Sequence, residues 1–292
     1  MKKSLILFAA AAFALASCGS KTEGNAEGGD STNAEATEVA EAGDNYNDYP
    51  WDFPKSIDLE WEAGQYYLAP YTFYPKKVEE KKDLTREVMI FYNDTYSEVT
   101  DGKVNGKTPT SLCIPLPKGE TAEKGDVVLT WWQSGSGMQR ALVTDASSSD
   151  APKTVYLDLN YKGDGTGFAE KFVDQLKPNS FKVLTNGELE PGAPVAYFED
   201  GKWKEATCIN VDGDKVLVLG FADHIYSTTK DKVKVIPLVP EYKVGDMVSV
   251  VFVDAFSDGY TVKKIDLSIG RVWVEKNGRE DIKSIFEVSK AL

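Results

Sequence analysis

The one histidine of the chain, His224, directly follows Asp223. An imidazole oriented by an acid could activate a serine, and serines are plentiful. No Gly-x-Ser-x-Gly segment, however, supplies the sharp strand-to-helix turn that exposes such a nucleophile. A lone histidine also cannot form the imidazole pair common in metal sites. Asp158-Leu-Asn-Tyr-Lys-Gly163 places Asp, Asn and Gly at the first, third and sixth places of a calcium loop, but Lys162 occupies a ligand position and Ala169 stands where the bidentate acid belongs. Gly163-Asp-Gly-Thr-Gly167 lacks the following Lys-Ser/Thr of a phosphate cradle. Carboxylates abound, yet no spacing singles out a glycosidase-type pair. The residues give no catalytic set and no cofactor or metal site.

The other chemistry available is aromatic. Trp131, Trp132, Tyr161 and Trp203 are the candidate ligand-binding residues, because large rings with a polar edge bind peptides, glycans and protein surfaces. Adjacent strand residues face opposite sides, so one ring of the Trp131-Trp132 pair must point away from its own core. Beyond Cys18, the cysteines are Cys113 and Cys208, both in apolar runs. A disulfide is compatible with an oxidising compartment, and buried free thiols are the expectation.

The elements that carry these residues are short strands. In Gly192–Pro237, Val195–Phe198 runs into an Asp200-Gly201 hairpin signal, Trp203–Ile209 follows, Asp212-Gly-Asp turns again, and Lys215–Leu219 and Lys232–Ile236 complete the set. So many strands in so short a segment curl into a small barrel rather than a sandwich. The pattern recurs from Lys124-Gly125 to Leu184 and from Val244-Gly245 to Val288, with a looser copy opening at Gly64. The fold class is therefore all-β, a row of small barrels: 50–120 a looser β domain, then barrels at 121–188, 189–240 and 241–292. Phe168, Phe172 and Leu176 fall at helical spacing and predict a short helix between Gly167 and Pro178.

The order glycine, strand, Asp-Gly, strand opening on alanine, Val-rich strand and closing Val-x-Val-Ile-Pro, as in Gly192-Ala-Pro-Val-Ala-Tyr-Phe-Glu-Asp-Gly-Lys-Trp-Lys-Glu-Ala206, resembles Tudor and related SH3-like barrels. The resemblance implies tandem Tudor-like barrels, many of which hold methylated cations in an aromatic cage. The cage's first ring would fall at Tyr197 or Phe198, but Lys204, Leu219 and Ala222 occupy its later positions. Trp132 and Tyr161 fit two such positions in the preceding copy.

At the other end, Lys2-Lys3, the apolar run Leu5–Ala14 and Leu15-Ala-Ser-Cys18 form a signal peptide over 1–17. Its last four residues resemble the lipobox of bacterial, Bacteroidetes-like lipoproteins, which implies lipid on Cys18 and an outer-membrane location. Periplasmic and surface-facing display both fit. Residues 18–49 have almost no bulky apolar side chain and read as a disordered acidic tether. Removing 1–17 takes away two lysines and no acid, moving the formal charge from −13 to −15. Such a chain repels nucleic acid. The expectation is a non-catalytic, membrane-anchored binding or scaffold lipoprotein for a protein, peptide or glycan partner. The alternatives are an envelope hydrolase using Asp223-His224 or an unrecognised acid pair, and a purely structural spacer.

Overall fold

Three segments of this chain solve the same steric problem in the same way. In each, a glycine with positive φ (Gly125 101°, Gly192 97°, Gly245 92°) leads into the first strand. Its amide donates to a carbonyl in the second strand: Val143 at 2.9 Å, Cys208 at 2.8 Å and Val262 at 2.9 Å. Immediately beyond that acceptor the second strand carries a bulge, between Val143 and Asp145, Cys208 and Asn210, and Val262 and Lys264. An extra residue there bends and twists the strand, which is what curls so small a sheet around its own core. The left-handed turn needs no side chain, which is why glycine opens every copy.

The computed structural model describes residues 49, 51–69, 96–98, 109–135, 137–159, 172–290 and 292. They belong to one compact unit, Asn45–Leu292. Strands β1 (Tyr66–Leu68), β2 (Tyr96–Glu98) and β3 (Ile114–Pro115) form a small antiparallel sheet with β1 central. The first repeat contains β4 (Val127–Trp131), β5 (Met138–Asp145), β6 (Lys153–Tyr156), β7 (Val173–Gln175) and β8 (Lys182–Val183). The second contains β9 (Pro194–Glu199), β10 (Lys202–Asp212), β11 (Lys215–Gly220), β12 (Ile225–Thr229) and β13 (Val233–Val235). The third contains β14 (Met247–Phe252), β15 (Ala255–Asp266), β16 (Arg271–Lys276), β17 (Arg279–Ser284) and β18 (Val288–Ser289). In all three the strands run as an antiparallel meander whose fifth member returns beside the first. Fourth and fifth strands do not pair, so among the described residues each sheet curls without closing. In the second and third repeats a 3-10 turn bridges that gap, and Ser284 and Glu287 cap the latter reciprocally.

The fold is thus all-β, as the strand pattern requires. Its repeats are not separate beads. β10 pairs with β15 at Lys204 and Ala255, fusing the second and third sheets, and the Glu205 amide donates to the Asp254 carbonyl at 3.0 Å. One large apolar cluster draws Trp51 and Leu112 from the N-terminal segment, Leu129 and Trp131 from the first repeat, Leu217 from the second and Phe286 from the third. Each fully buried side chain of this size contributes about 1.5–3 kcal/mol, so the surfaces between repeats are core rather than linker. Asn210 is part of the same packing, donating to the Ser111 carbonyl at 2.7 Å.

Three expectations meet the structure here. Cys113 and Cys208 are buried free thiols. The helix predicted between Gly167 and Pro178 does not extend through its second half, where Val173–Gln175 is a strand on β6 and Leu176 is a core residue. Backbone pairing to a waiting edge overrides a helical spacing of three apolar residues. Phe168 lies outside the described residues, as do Cys18 and all of the expected tether except Tyr49. That residue is already part of the fold, its hydroxyl 2.9 Å from Ser111 Oγ and its ring edge-on to Trp51.

Candidate ligand-binding cleft

Where the three repeats meet they enclose a cleft of about 680 Å³. Its walls come from Met138, Arg140 and Asp158 of the first repeat, Glu205, Leu219 and Phe221 of the second, and Val253, Lys283 and Phe286 of the third. That volume lies within the range of about 300–1,000 Å³ usual for ligand pockets. A smaller hollow of about 460 Å³ lies by Tyr197, Tyr226 and Asp52.

Arg140 dominates the floor. Strand alternation sends Ala141 and Val143 into the first repeat's own core and leaves Met138, Arg140 and Leu142 on the opposite face, toward the other repeats. The Arg140 side chain is 4% exposed. Its Nε and Nη2 reach Asp158 Oδ1 at 3.0 and 2.7 Å, and its backbone amide donates to Asp158 Oδ2 at 2.6 Å. Nη2 also approaches Glu205 Oε1 at 3.6 Å. The guanidinium carbon sits 4.6 Å from the Phe286 ring centroid. One cation therefore touches all three repeats. Its Nη1 is buried without a hydrogen-bond partner.

Two carboxylates share this guanidinium and Glu287 lies near, so negative charge exceeds positive in a partly desolvated space. Burial, reinforced by Asp158 and Glu287 and opposed by Arg140, pushes the Glu205 carboxyl up to about 7. The side chain keeps 28% of its surface, which faces the cleft it lines. Burial lowers the Arg140 affinity for its proton, but Asp158 and Glu205 outweigh that and hold it charged. Asp223, on the second repeat's wall, is raised by burial against the opposing charge of His224.

Arg271 closes the floor from the third repeat. It is 1% exposed and donates from Nη1 to the Leu157 carbonyl at 2.8 Å and from Nη2 to those of Tyr156 and Leu159 at 3.1 and 3.0 Å. The preceding residue makes this approach feasible: Gly270 has φ 61°, and a Cβ there would stand 2.2 Å from Leu157 Cδ2. The rim is apolar and exposed, with Phe221 at 54% and Val253 at 63%. Both rim turns hold side-chain-bearing residues at positive φ: Ala222 56°, Asp223 60° and Val253 65°. For β-branched Val253 that conformation is costly and is sustained by the surrounding fold.

Among the described residues, Trp131, Trp132 and Trp203 lie in different places. Trp131 is buried in the central cluster, edge-on to Tyr66 at 5.4 Å. Trp132 packs on the first repeat's core, where the Gly135 turn presses against its ring. Trp203 lies in the second repeat against Phe198, with the Lys234 ammonium 4.7 Å from its ring centroid. Tyr161 is outside the described residues. His224 Nδ1 lies 3.3 Å from the Tyr226 hydroxyl, not against a serine or cysteine. Among the described residues no three histidine, cysteine or acidic side chains are arranged to hold a metal ion. The sequence reading passed over Arg140, Glu205 and Arg271. For the two arginines the signal was a charge beside apolar strand residues, as in Met138-Gln-Arg-Ala-Leu-Val143 and Arg271-Val-Trp-Val274, though the partner repeat that receives it is invisible from one strand; Glu205 follows Lys202-Trp-Lys204 and carries no such signal.

No family model matches the chain. A search of curated proteins likewise returns no match. Among solved structures, the AGDP1 AGD34 crystal structure from Arabidopsis thaliana is similar over 35% of this chain and 82% of its own, at 19% identity and a TM-score of 0.23. Likeness at that level carries no argument about fold or activity, and the topology above stands on the strand pairing itself.

Proposed function

We propose that this is a non-catalytic binding lipoprotein of the bacterial envelope, held at the outer membrane by lipid on Cys18 and spaced from it by the acidic segment that follows. Its three Tudor-like repeats act as one body and present the cleft at their junction to a partner. The observation that carries this reading is the cleft's construction: a buried, charge-paired floor contributed by every repeat beneath the exposed apolar rim of Phe221 and Val253. An enclosed polar floor with apolar edges suits recognition. The binding surface thus shifts from Trp131, Trp132, Tyr161 and Trp203 to the cleft.

The test compares full-length protein with Phe221→Asp and Val253→Asp variants in capture from envelope extracts, each shown to melt like wild type. A partner retained by wild type and lost from both variants is expected. Identical captured sets would overturn the cleft as the binding surface and favour a structural spacer. Labelling with a palmitate analogue, present in wild type and absent in Cys18→Ala, checks the anchor.

A further inference from the structure

The cleft's electrostatics narrow what it can hold. Five carboxylates line it, Asp158, Glu205, Asp223, Asp281 and Glu287, against three cations, Arg140, Arg271 and Lys283. Each cation is already engaged: Arg140 by Asp158 and Glu205, Arg271 by backbone carbonyls, and Lys283 by Asp281 at 3.3 Å and Glu287 at 3.6 Å. Added to a chain of formal charge −13, this is a hollow of negative potential. An anionic ligand would meet a net excess of two carboxylates, Glu205 and Asp223, both on the second repeat's wall.

From this geometry we propose that the cleft takes a basic peptide segment, a short stretch of chain whose lysine or arginine side chains alternate with apolar ones. The proposal rests on the binding reading above and names its ligand class. Two features fit one occupant. The carboxylate excess suits its cations. The exposed Phe221 and Val253 suit the apolar neighbours and the long aliphatic stems of those cations. A cavity of about 680 Å³ admits a short segment rather than a folded domain.

A cationic ligand is coupled to protons at this site. The groups that face Glu205 are Arg140 and Asp158 from the first repeat and Glu287 from the third; burial, with the two carboxylates, outweighs Arg140 and holds its carboxyl up to about 7. A bound cation favours the ionised carboxylate, so binding expels a proton and tightens as pH rises through that value.

Fluorescence anisotropy on the full chain in detergent tests this with three labelled peptides of equal length. One alternates leucine with lysine, one leucine with glutamate and one leucine with serine. The lysine peptide should bind at least about tenfold more tightly than either of the others and weaken about tenfold as salt rises from about 0.05 M to about 0.5 M. Its affinity should drop severalfold in Glu205→Gln and in Asp223→Asn. The second variant makes no ion pair among the described residues, so it remains informative if the first unfolds. Glu62→Gln, at the far exposed pair with Lys118, should bind like wild type. Equal, salt-insensitive binding of all three peptides would overturn the charge preference while leaving a binding cleft. Failure of every peptide alongside intact capture through Phe221 and Val253 would overturn the peptide class alone, whereas loss of the binding reading itself shows in that capture experiment.

Discussion

The Arg140 guanidinium of the first repeat stands 3.6 Å from the Glu205 carboxylate of the second. With Phe286 of the third stacked on the same group, one side chain touches all three curled sheets. Arg140→Ala should therefore lower stability by about 3–5 kcal/mol, since Asp158 and Glu205 lose their buried cation. Replacing the pair, Arg140→Met with Asp158→Leu, should recover much of that loss. Urea unfolding of the single and double variants measures it.

The same relationship sets a pH dependence. The folded Glu205 holds its proton more tightly than an unfolded glutamate, about 7 against 4.5. Its contribution to stability is thus fully present below about 4.5 and lost as pH rises through about 7, by at most about 3 kcal/mol. Paired or turn-bound surface carboxylates such as Asp246 and Glu275 are shifted the opposite way, so the Glu205 contribution shows in a difference between proteins. Wild type minus Glu205→Gln, compared by unfolding midpoint at about pH 5 and about pH 8, should move toward the variant's favour at the higher pH.

Gly270 should be less tolerant than its dihedral alone implies. Gly64, at φ 74° with open space around it, should lose about 1 kcal/mol on change to alanine from backbone strain. Gly270→Ala incurs the same strain and also displaces Leu157, 2.2 Å from the new Cβ. It should cost about 1 kcal/mol more and loosen the Arg271 contacts, with slower-exchanging amides of β6 becoming labile in hydrogen exchange.

The repeated bulge predicts a contrast between deletion and substitution. Lys263 is the extra residue between Val262 and Lys264 on β15, and its exposed side chain pairs with Glu275 at 3.3 Å. Lys263→Ala should cost less than about 1 kcal/mol. Deleting Lys263 sets Lys264 directly after Val262, turns the step from Val274 to Trp273 into regular pairing and removes the bend. The third repeat should then fail to fold, visible as loss of its dispersed amide resonances.

Much of the fold was legible because its determinants are local. Gly125, Gly192 and Gly245 announce a left-handed turn, Asp200-Gly201 a tight hairpin, and the apolar runs around Cys113 and Cys208 two buried thiols. Alternation also foretold that Trp131 and Trp132 diverge. What it could not give was the destination: the ring that leaves its own core, Trp131, enters the packing between repeats instead of a surface groove. The helix predicted through Leu176 failed for the same reason, since the β6 edge that captures Val173–Gln175 lies elsewhere in the chain. The cleft is the extreme case. Arg140, Glu205 and Arg271 lie in three distant strands, and nothing in any one strand shows that they share a cavity.

The central claim is that the junction of the repeats is where a basic peptide segment docks. A photo-crosslinking phenylalanine analogue replacing Phe221 at the rim, with the same analogue replacing the exposed Phe198 of the second repeat as reference, tests it in intact cells. The account predicts adducts at position 221 whose attached peptides carry lysine or arginine, with few at position 198. Equal labelling at both positions, or adducts at 221 formed with acidic or uncharged segments, would contradict it.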